Sequence, residues 1–150
     1  MQPLAEGSNV KIIKLFCSVV LLAFLSACAT GPSLKESAKS IPPPGAGMGR
    51  VFFYRTIVIG AAYTPDVLLN WEKVGNAVPR GVFYKDVPPG KYAATTTMTS
   101  EIVNFDIGAG EKKYIKLHYG FGFRIYPELV DATTGEAEAS ELSLMGPGKS

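Results

Sequence analysis

The sequence predicts an all-β fold, a single antiparallel β-sandwich preceded by a signal peptide and a flexible linker. Between residues 50 and 150 the chain is divided into short runs of β-branched and aromatic residues. Several runs alternate apolar and polar residues, which is the period of a half-buried strand. Proline- and glycine-containing turns separate the runs. The predicted organisation is therefore a signal peptide over 1–27, a linker over 28–49 and the sandwich over 50–150.

The first 30 residues have the features of an export signal. Lys11 and Lys14 precede the apolar run 15–25, which is shorter than the ~20 residues that a membrane span requires. The run ends in Leu25-Ser26-Ala27-Cys28, which resembles the lipobox of bacterial lipoproteins. The resemblance implies cleavage after Ala27 and attachment of lipid to the sulfur of Cys28.

Two alternatives stay open for this segment. Ala27-Cys28-Ala29 also fits the A-x-A pattern that the ordinary signal peptidase cleaves. The polar residues 1–9 precede the positive flank, so a second hypothesis is that translation starts at Val10 instead of Met1. In the lipoprotein interpretation, Ala29 stands where an inner-membrane retention signal would have Asp. This implies a protein anchored in the outer membrane and facing the periplasm.

The linker, the charge balance and the cysteines limit the kinds of partner that we expect. Residues 29–49 are rich in proline, glycine and serine, which predicts a flexible tether. The chain has 15 basic and 13 acidic side chains, and so even a balance predicts no binding to nucleic acid. Cys17 leaves with the signal peptide, so the mature chain keeps only Cys28 and forms no internal disulfide. The expected partners are the membrane, through lipidated Cys28, and an unknown envelope protein or glycan.

The strands follow in order along the mature chain. The predicted strands and their connections are 51–59, 67–69, a turn or bulge over 70–75, 82–87, a Pro-Pro-Gly turn at 88–90, 91–99, 102–107, a tight connection at 108–111, 113–119, 121–125 and 129–131. This spacing is typical of an immunoglobulin-like or transthyretin-like sandwich. The tail 136–145 is predicted to form a helical turn or an edge strand.

Alternation assigns the side chains of three strands to faces. The residues predicted to face the core are Tyr92, Ala94, Thr96, Met98, Val103, Phe105, Ile107, Ile115, Leu117 and Tyr119. Tyr114, Lys116 and His118 are predicted to face outward.

Four segments in order resemble a known family. They are 49–55 (GRVFFYR), 86–92 (DVPPGKY), 108–114 (GAGEKKY) and 129–131 (LVD). Together they are similar to a family of bacterial lipoproteins defined only as domain of unknown function 2846, over roughly residues 49–135. The resemblance implies no activity and no catalytic residue. The family more often has Asn-Gly or Asp-Gly where this chain has Asn70-Trp71, so we expect a bulkier loop there than a tight hairpin.

Aromatic residues are the candidate ligand or partner surface. Trp71 falls in a predicted turn, and Phe121, Phe123, Arg124 and Tyr126 cluster in sequence. Exposed rings beside an arginine would suit stacking on sugars or anchoring a protein interface. The competing interpretation is that most of these rings line the core.

Catalysis and metal binding have weak signals. His118 is the single histidine, and as a general base it would need a carboxylate such as Asp106 or Glu111. Residues 131–136 superficially resemble a calcium loop but lack its alternating carboxylates, which favours a turn between strands. We therefore expect no cofactor, no metal and a non-enzymatic binding or structural role in the cell envelope. The alternative is an envelope enzyme or glycan-modifying accessory protein that uses His118.

Overall fold

Two β-sheets pack face to face in the structure, a computed structural model that describes residues 29–146. The strands are β1 (Gly49–Tyr54), β2 (Asp66–Leu69), β3 (Glu72–Asn76), β4 (Gly81–Val87), β5 (Gly90–Thr96), β6 (Val103–Ile107), β7 (Lys112–Gly120), β8 (Arg124–Val130) and β9 (Ser143–Leu144), and the helices are α1 (Leu34–Ser37) and α2 (Ala132–Ser140). One sheet has the order β8-β7-β1-β4-β9 and the other β3-β2-β5-β6. The predicted all-β sandwich is confirmed.

Most neighbouring strands run antiparallel, with two exceptions in the larger sheet. β1 pairs parallel with β7, and β4 pairs parallel with the short β9. β1 is the central strand of this sheet and is buried at every position. The predicted strand 51–59 ends earlier, at Tyr54. The guanidinium of buried Arg55 donates hydrogen bonds to carbonyls of the following loop and so turns the chain out of the strand.

The core between the sheets confirms the predicted alternation. Its buried members include Val51, Phe53, Val67, Leu69, Phe83, Ala94, Phe105, Ile107, Ile115, Leu117 and Ile125. Tyr92, Met98, Val103 and Tyr119 are partly buried against the same cluster. Each fully buried aliphatic or aromatic side chain contributes roughly 1.5–3 kcal/mol. This core holds the two sheets at a fixed separation and so fixes which residues can share an outer face.

The outer face of the larger sheet is covered by α2, which corrects two predictions. Tyr114, predicted to face outward into solvent, is only 2% exposed and packs with Phe52 and Ala139. The segment predicted as a turn after Val130 instead begins a helix, because the Asp131 carboxylate accepts a hydrogen bond from Thr134 N–H at 2.9 Å. Asp131 thus caps a helix, and the resemblance to a calcium loop has no structural counterpart.

Within the segment 28–49, predicted to be a flexible tether, residues between 29 and 48 make contacts with the sandwich. Ala29 N–H donates to the carbonyl of Pro79 at 2.9 Å, and Leu34 N–H donates to the carbonyl of Leu142 at 2.8 Å. The Ser33 hydroxyl and the Glu36 carboxylate form a capping box at α1. The composition of this segment hides these contacts because they are mostly made by the backbone.

The sandwich has two ends, which we call proximal and distal. The proximal end comprises residues 55–63, 77–80, 97–102 and 121–123, where β1, β5 and β7 finish and β4 begins. The distal end comprises residues 88–89 and 108–111, where β4 and β6 finish and β5 and β7 begin. The described chain starts at the proximal end, because Ala29 bonds to Pro79.

Candidate functional site

The turn between β2 and β3 is a tight hairpin despite its tryptophan. Leu69 pairs with Glu72, so Asn70 and Trp71 alone form the loop. Their φ angles are 49° and 67°, the sign pattern of a type I′ turn, which normally takes Asn-Gly. The expectation of a bulkier loop was therefore wrong: Trp71 adopts the backbone conformation that glycine has in such turns.

Asn70 fixes this turn to the neighbouring strand. Its side-chain oxygen accepts a hydrogen bond from Ala93 N–H at 2.8 Å, and its own N–H donates to the Ala93 carbonyl at 2.8 Å. Two bonds between the same pair of residues hold the loop against β5 with a defined orientation. The backbone that carries Trp71 is consequently held beside β5, and the exposed indole lines a groove there.

A groove of about 460 Å³ lies beside Trp71. Its lining residues are Asn70, Trp71, Lys91, Tyr92, Ala93, Asn104, Phe105 and Asp106. Lys91 pairs across strands with Asp106, and Ala93 pairs with Asn104, so these four residues share the outer face of the sheet. The small side chain of Ala93 leaves the depression, and Trp71, which is 67% exposed, forms its apolar border.

The groove combines an apolar plane with paired polar groups. Lys91 supplies donors, Asp106 supplies acceptors, and the Asn104 amide supplies both. All three side chains are exposed, so they are free to exchange water for a ligand. Their formal charges cancel, which favours an uncharged ligand that carries hydroxyl and amide groups over a phosphate or a polycation.

Sequence reasoning identified Trp71 but missed the other groove residues. Their signal was present, because Lys91 and Ala93 fall on the outward parity of β5. What sequence alone did not show is that the turn lies beside these residues, which depends on the register between β2 and β5.

The other four residues of the predicted surface lie elsewhere. Phe121 is fully exposed, Phe123 is 62% exposed, and Arg124 is exposed beside them at the proximal end. Tyr126 is half-buried on the outer face of the larger sheet, where its ring stacks on His118 at 5.5 Å between centroids. The structure therefore divides the predicted surface between the Trp71 groove and the proximal end.

His118 is not near the carboxylates proposed for it. Asp106 lines the Trp71 groove and Glu111 lies in the distal connection before β7. The imidazole Nε2 instead lies against the carboxylate of Glu128 on β8. Its face is covered by Tyr126. His118 thus belongs to the outer face of the larger sheet, on the opposite side of the sandwich from the groove.

A polar network lies next to His118 under α2. Glu138 accepts hydrogen bonds from the Tyr54 hydroxyl and from Lys116 Nζ, both at 2.7 Å. Burial acts to raise the pKa of Glu138, but the hydrogen bonds from Lys116 and Tyr54 outweigh it and lower that pKa below its ordinary value. Burial and the neighbouring Glu138 raise the pKa of the Tyr54 phenol well above its ordinary value. These bonds tie α2 to β1 and β7.

Two further features are absent from residues 29–146, a cluster of metal ligands and a membrane-spanning helix. Within that range, no three His, Cys, Asp or Glu side chains come together as ligands for an ion. No helix in the same range is both long enough and apolar enough to cross a bilayer. Ala27 and Cys28, the predicted cleavage and lipidation residues, lie outside the described residues.

Comparison with known proteins gives a family and a relative. The model of a family described as "Protein of unknown function (DUF2846)" matches residues 45–126. A protein of Haemophilus influenzae described as "Uncharacterized protein" is 31% identical over 152 residues, a match that covers 93% of this chain and 89% of the relative. The family match contains every residue that lines the Trp71 groove, and neither description gives an activity.

Proposed function

The chain belongs to the DUF2846 family of proteins of unknown function, and we propose that it is a lipid-anchored envelope protein that binds a glycan without catalysing a reaction. The glycan occupies the Trp71 groove. The anchor is Cys28, in the outer membrane, as the lipobox and Ala29 imply. The protein would therefore connect the membrane to a polysaccharide of the envelope.

The observation that carries this proposal is the exposed Trp71 at a positive φ angle. The left-handed conformation costs a residue with a Cβ atom ~1–2 kcal/mol. Leaving most of the indole in water contributes little to folding. Strained residues of this kind concentrate at binding sites, and a flat, exposed aromatic ring is a surface on which a sugar ring stacks.

The position of the groove favours peptidoglycan as the glycan. The groove is bordered by Lys91 and Asp106, which lie towards the distal end, whereas the described chain begins at Ala29 at the proximal end. A domain attached to the outer membrane through Cys28 would thus turn its groove towards the cell wall. The uncharged hydroxyl and amide groups of amino sugars match the balanced polar groups of the groove.

The alternative, an envelope enzyme that uses His118, has less support. The outer faces that carry His118 and the groove belong to different sheets, which in a sandwich are about 10 Å apart through the core. A glycan in the groove would not reach the imidazole. Glu128 and Tyr126 also engage the ring, and this arrangement is that of a structural surface pair.

Co-sedimentation with purified peptidoglycan sacculi tests the proposal. The full chain, extracted from membranes in detergent, is incubated with sacculi and the pelleted fraction is measured. We expect the parent to sediment and Trp71→Ala to bind at least about tenfold more weakly, equivalent to ~1.4 kcal/mol.

Leu129→Ala is the matched control for this experiment. Leu129 is another large apolar side chain that is exposed, but it lies on β8, away from the groove. Its substitution should leave sedimentation unchanged. Equal sedimentation of the parent and Trp71→Ala would overturn the proposal.

A further inference from the structure

Exposed apolar side chains are concentrated at the proximal end. Val58, Ile59, Tyr63, Phe121 and Phe123 are between 42% and 104% exposed, and we call these five residues the proximal patch. Tyr63 and Phe123 are in contact, with ring centroids 6.1 Å apart, so the loop after β1 and the turn after β7 form one surface. A continuous apolar surface of this kind marks an interaction site.

Buried Arg55 holds the loop that carries three of the five patch residues. Its guanidinium donates to the carbonyls of Ile59 at 2.7 Å, Gly60 at 3.1 Å and Tyr63 at 2.8 Å. The loop is therefore organised from below by its backbone, while the side chains of Val58 and Ile59 project into solvent. The hydrogen bonds to these carbonyls offset the cost of burying the guanidinium, so the conformation of the loop depends on Arg55.

The two loops that carry the patch have no acidic side chain, and the acidic residues at this end, Asp66 and Glu101, belong to other elements. Residues 55–63 and 120–124 contain arginine and no acidic residue. Arg124 and Arg80 are exposed at this end. An apolar surface bordered by exposed guanidinium groups matches the boundary between phospholipid acyl chains and their phosphates.

The start of the described chain lies at the same end. Ala29 N–H bonds to Pro79, and a Cβ atom built on Gly81 would come within 3.1 Å of the Ala29 methyl group. Cys28 directly precedes Ala29 in the sequence. An acyl group on Cys28 would therefore enter the bilayer beside the proximal patch.

We propose that the proximal patch docks on the phospholipid surface that holds the anchor, with Phe121 and Phe123 at the boundary between headgroups and acyl chains. This inference rests on the proposed lipid anchor. It predicts one orientation, in which the domain lies on the membrane at its proximal end and directs the Trp71 groove away from it. Cys28 is joined directly to Ala29, and residues between 29 and 48 contact the domain. No long tether would therefore separate the lipid anchor from the domain.

Fluorescence quenching by brominated lipids tests the orientation. The chain has one tryptophan, so the parent reports on Trp71 at the groove. The double variant Phe121→Trp/Trp71→Phe reports on the patch, and because Phe121 is fully exposed the larger ring needs no repacking. Both full-length proteins are reconstituted in vesicles of phosphatidylethanolamine and phosphatidylglycerol with bromine on the acyl chains, and intact mass measures acylation.

We expect severalfold quenching of the tryptophan at 121 and little quenching of Trp71. If an acylated protein shows no quenching at either position, or equal quenching at both, the docking inference is overturned while the anchor stands. If mass shows no acylation, the anchor fails, and the same vesicles added to that protein decide the docking. Quenching at 121 then supports it, and its absence overturns it.

Discussion

Trp71 shows how a single residue can oppose the local rules that otherwise shape this fold. Its neighbours follow those rules: Asn70 takes the first position of the turn and bonds to Ala93, as turn asparagines do. Trp71 takes the second position, where glycine has no steric cost. The sequence shows that Trp71 stands where the family more often has glycine. It does not show the positive φ angle of Trp71, because a longer loop would have avoided that strained conformation.

Replacing Trp71 by glycine should separate stability from binding. Because Gly accepts φ near 67° without strain, Trp71→Gly should be about 1 kcal/mol more stable to urea than Trp71→Ala, which keeps a Cβ atom. Both variants should lose binding to sacculi. If Trp71→Gly is the less stable of the two, the turn does not impose the conformation described.

We expect Glu138 to account for part of the fall in the free energy of unfolding at acidic pH. Its folded-state pKa lies below the ordinary value of 4.5, so it contributes stability above pH 4.5 that is lost as the pH falls through the lower folded-state value. Glu138→Gln should reduce the free energy of unfolding at neutral pH by about 1 kcal/mol. The loss of stability below pH 4.5 should also become shallower than in the parent.

Urea titrations at several pH values measure this effect. Glu141→Gln is the control, because Glu141 is largely exposed and its distance to Lys35 is 4.0 Å, a separation at which an exposed pair contributes little. Parallel pH curves for the parent and Glu138→Gln would contradict the assignment.

Among the structural elements, strands were predictable and the helix was not. In the smaller sheet, β5 and β6 have one buried face, so period-two alternation and turn residues indicated them, whereas β3 lies where the sequence predicted a turn or bulge over 70–75. The sequence of α2, ATTGEAEAS, has few apolar residues and a glycine, so it has no helical apolar face. It forms because Asp131 caps it and because Gly135 and Ala139 let it approach the sheet. Tyr114 was assigned to solvent for the same reason: alternation identifies faces but not what covers them.

The close approach of α2 to the sheet leaves no room for a side chain at Gly135. Gly→Ala inside a helix normally stabilises by about 1 kcal/mol. Here a Cβ atom at position 135 would overlap the side chain of Tyr114, so Gly135→Ala should instead destabilise the protein by about 1–3 kcal/mol. Thr133→Ala, at an exposed position of the same helix, should be neutral or slightly stabilising. Thermal unfolding of both variants measures the difference, and a stabilised Gly135→Ala would show that the helix lies farther from β7.

At the scale of the whole molecule, the two aromatic surfaces lie apart, and this separation gives the protein its proposed polarity. Trp71 borders a groove that lies near the distal end, and Phe121 and Phe123 form part of the proximal patch. From the sequence alone, all three residues were assigned to one candidate surface. The strand register and the parallel pairing of β1 with β7 decide the end to which each residue belongs, and the sequence pattern does not show either. In the proposed function and orientation, the proximal end contacts the membrane and the groove near the distal end binds the glycan.

Titration of tryptophan emission with soluble peptidoglycan fragments measures whether a glycan binds at Trp71, because Trp71 is the single tryptophan of the chain. Disaccharide-peptide fragments are added to the detergent-solubilised full-length protein, and maltotriose, a glucose oligomer without amide groups, serves as the comparison. We expect a saturable change in Trp71 emission with the peptidoglycan fragments and a much weaker one with maltotriose. Emission that stays constant through millimolar concentrations of the fragments would contradict the proposed binding.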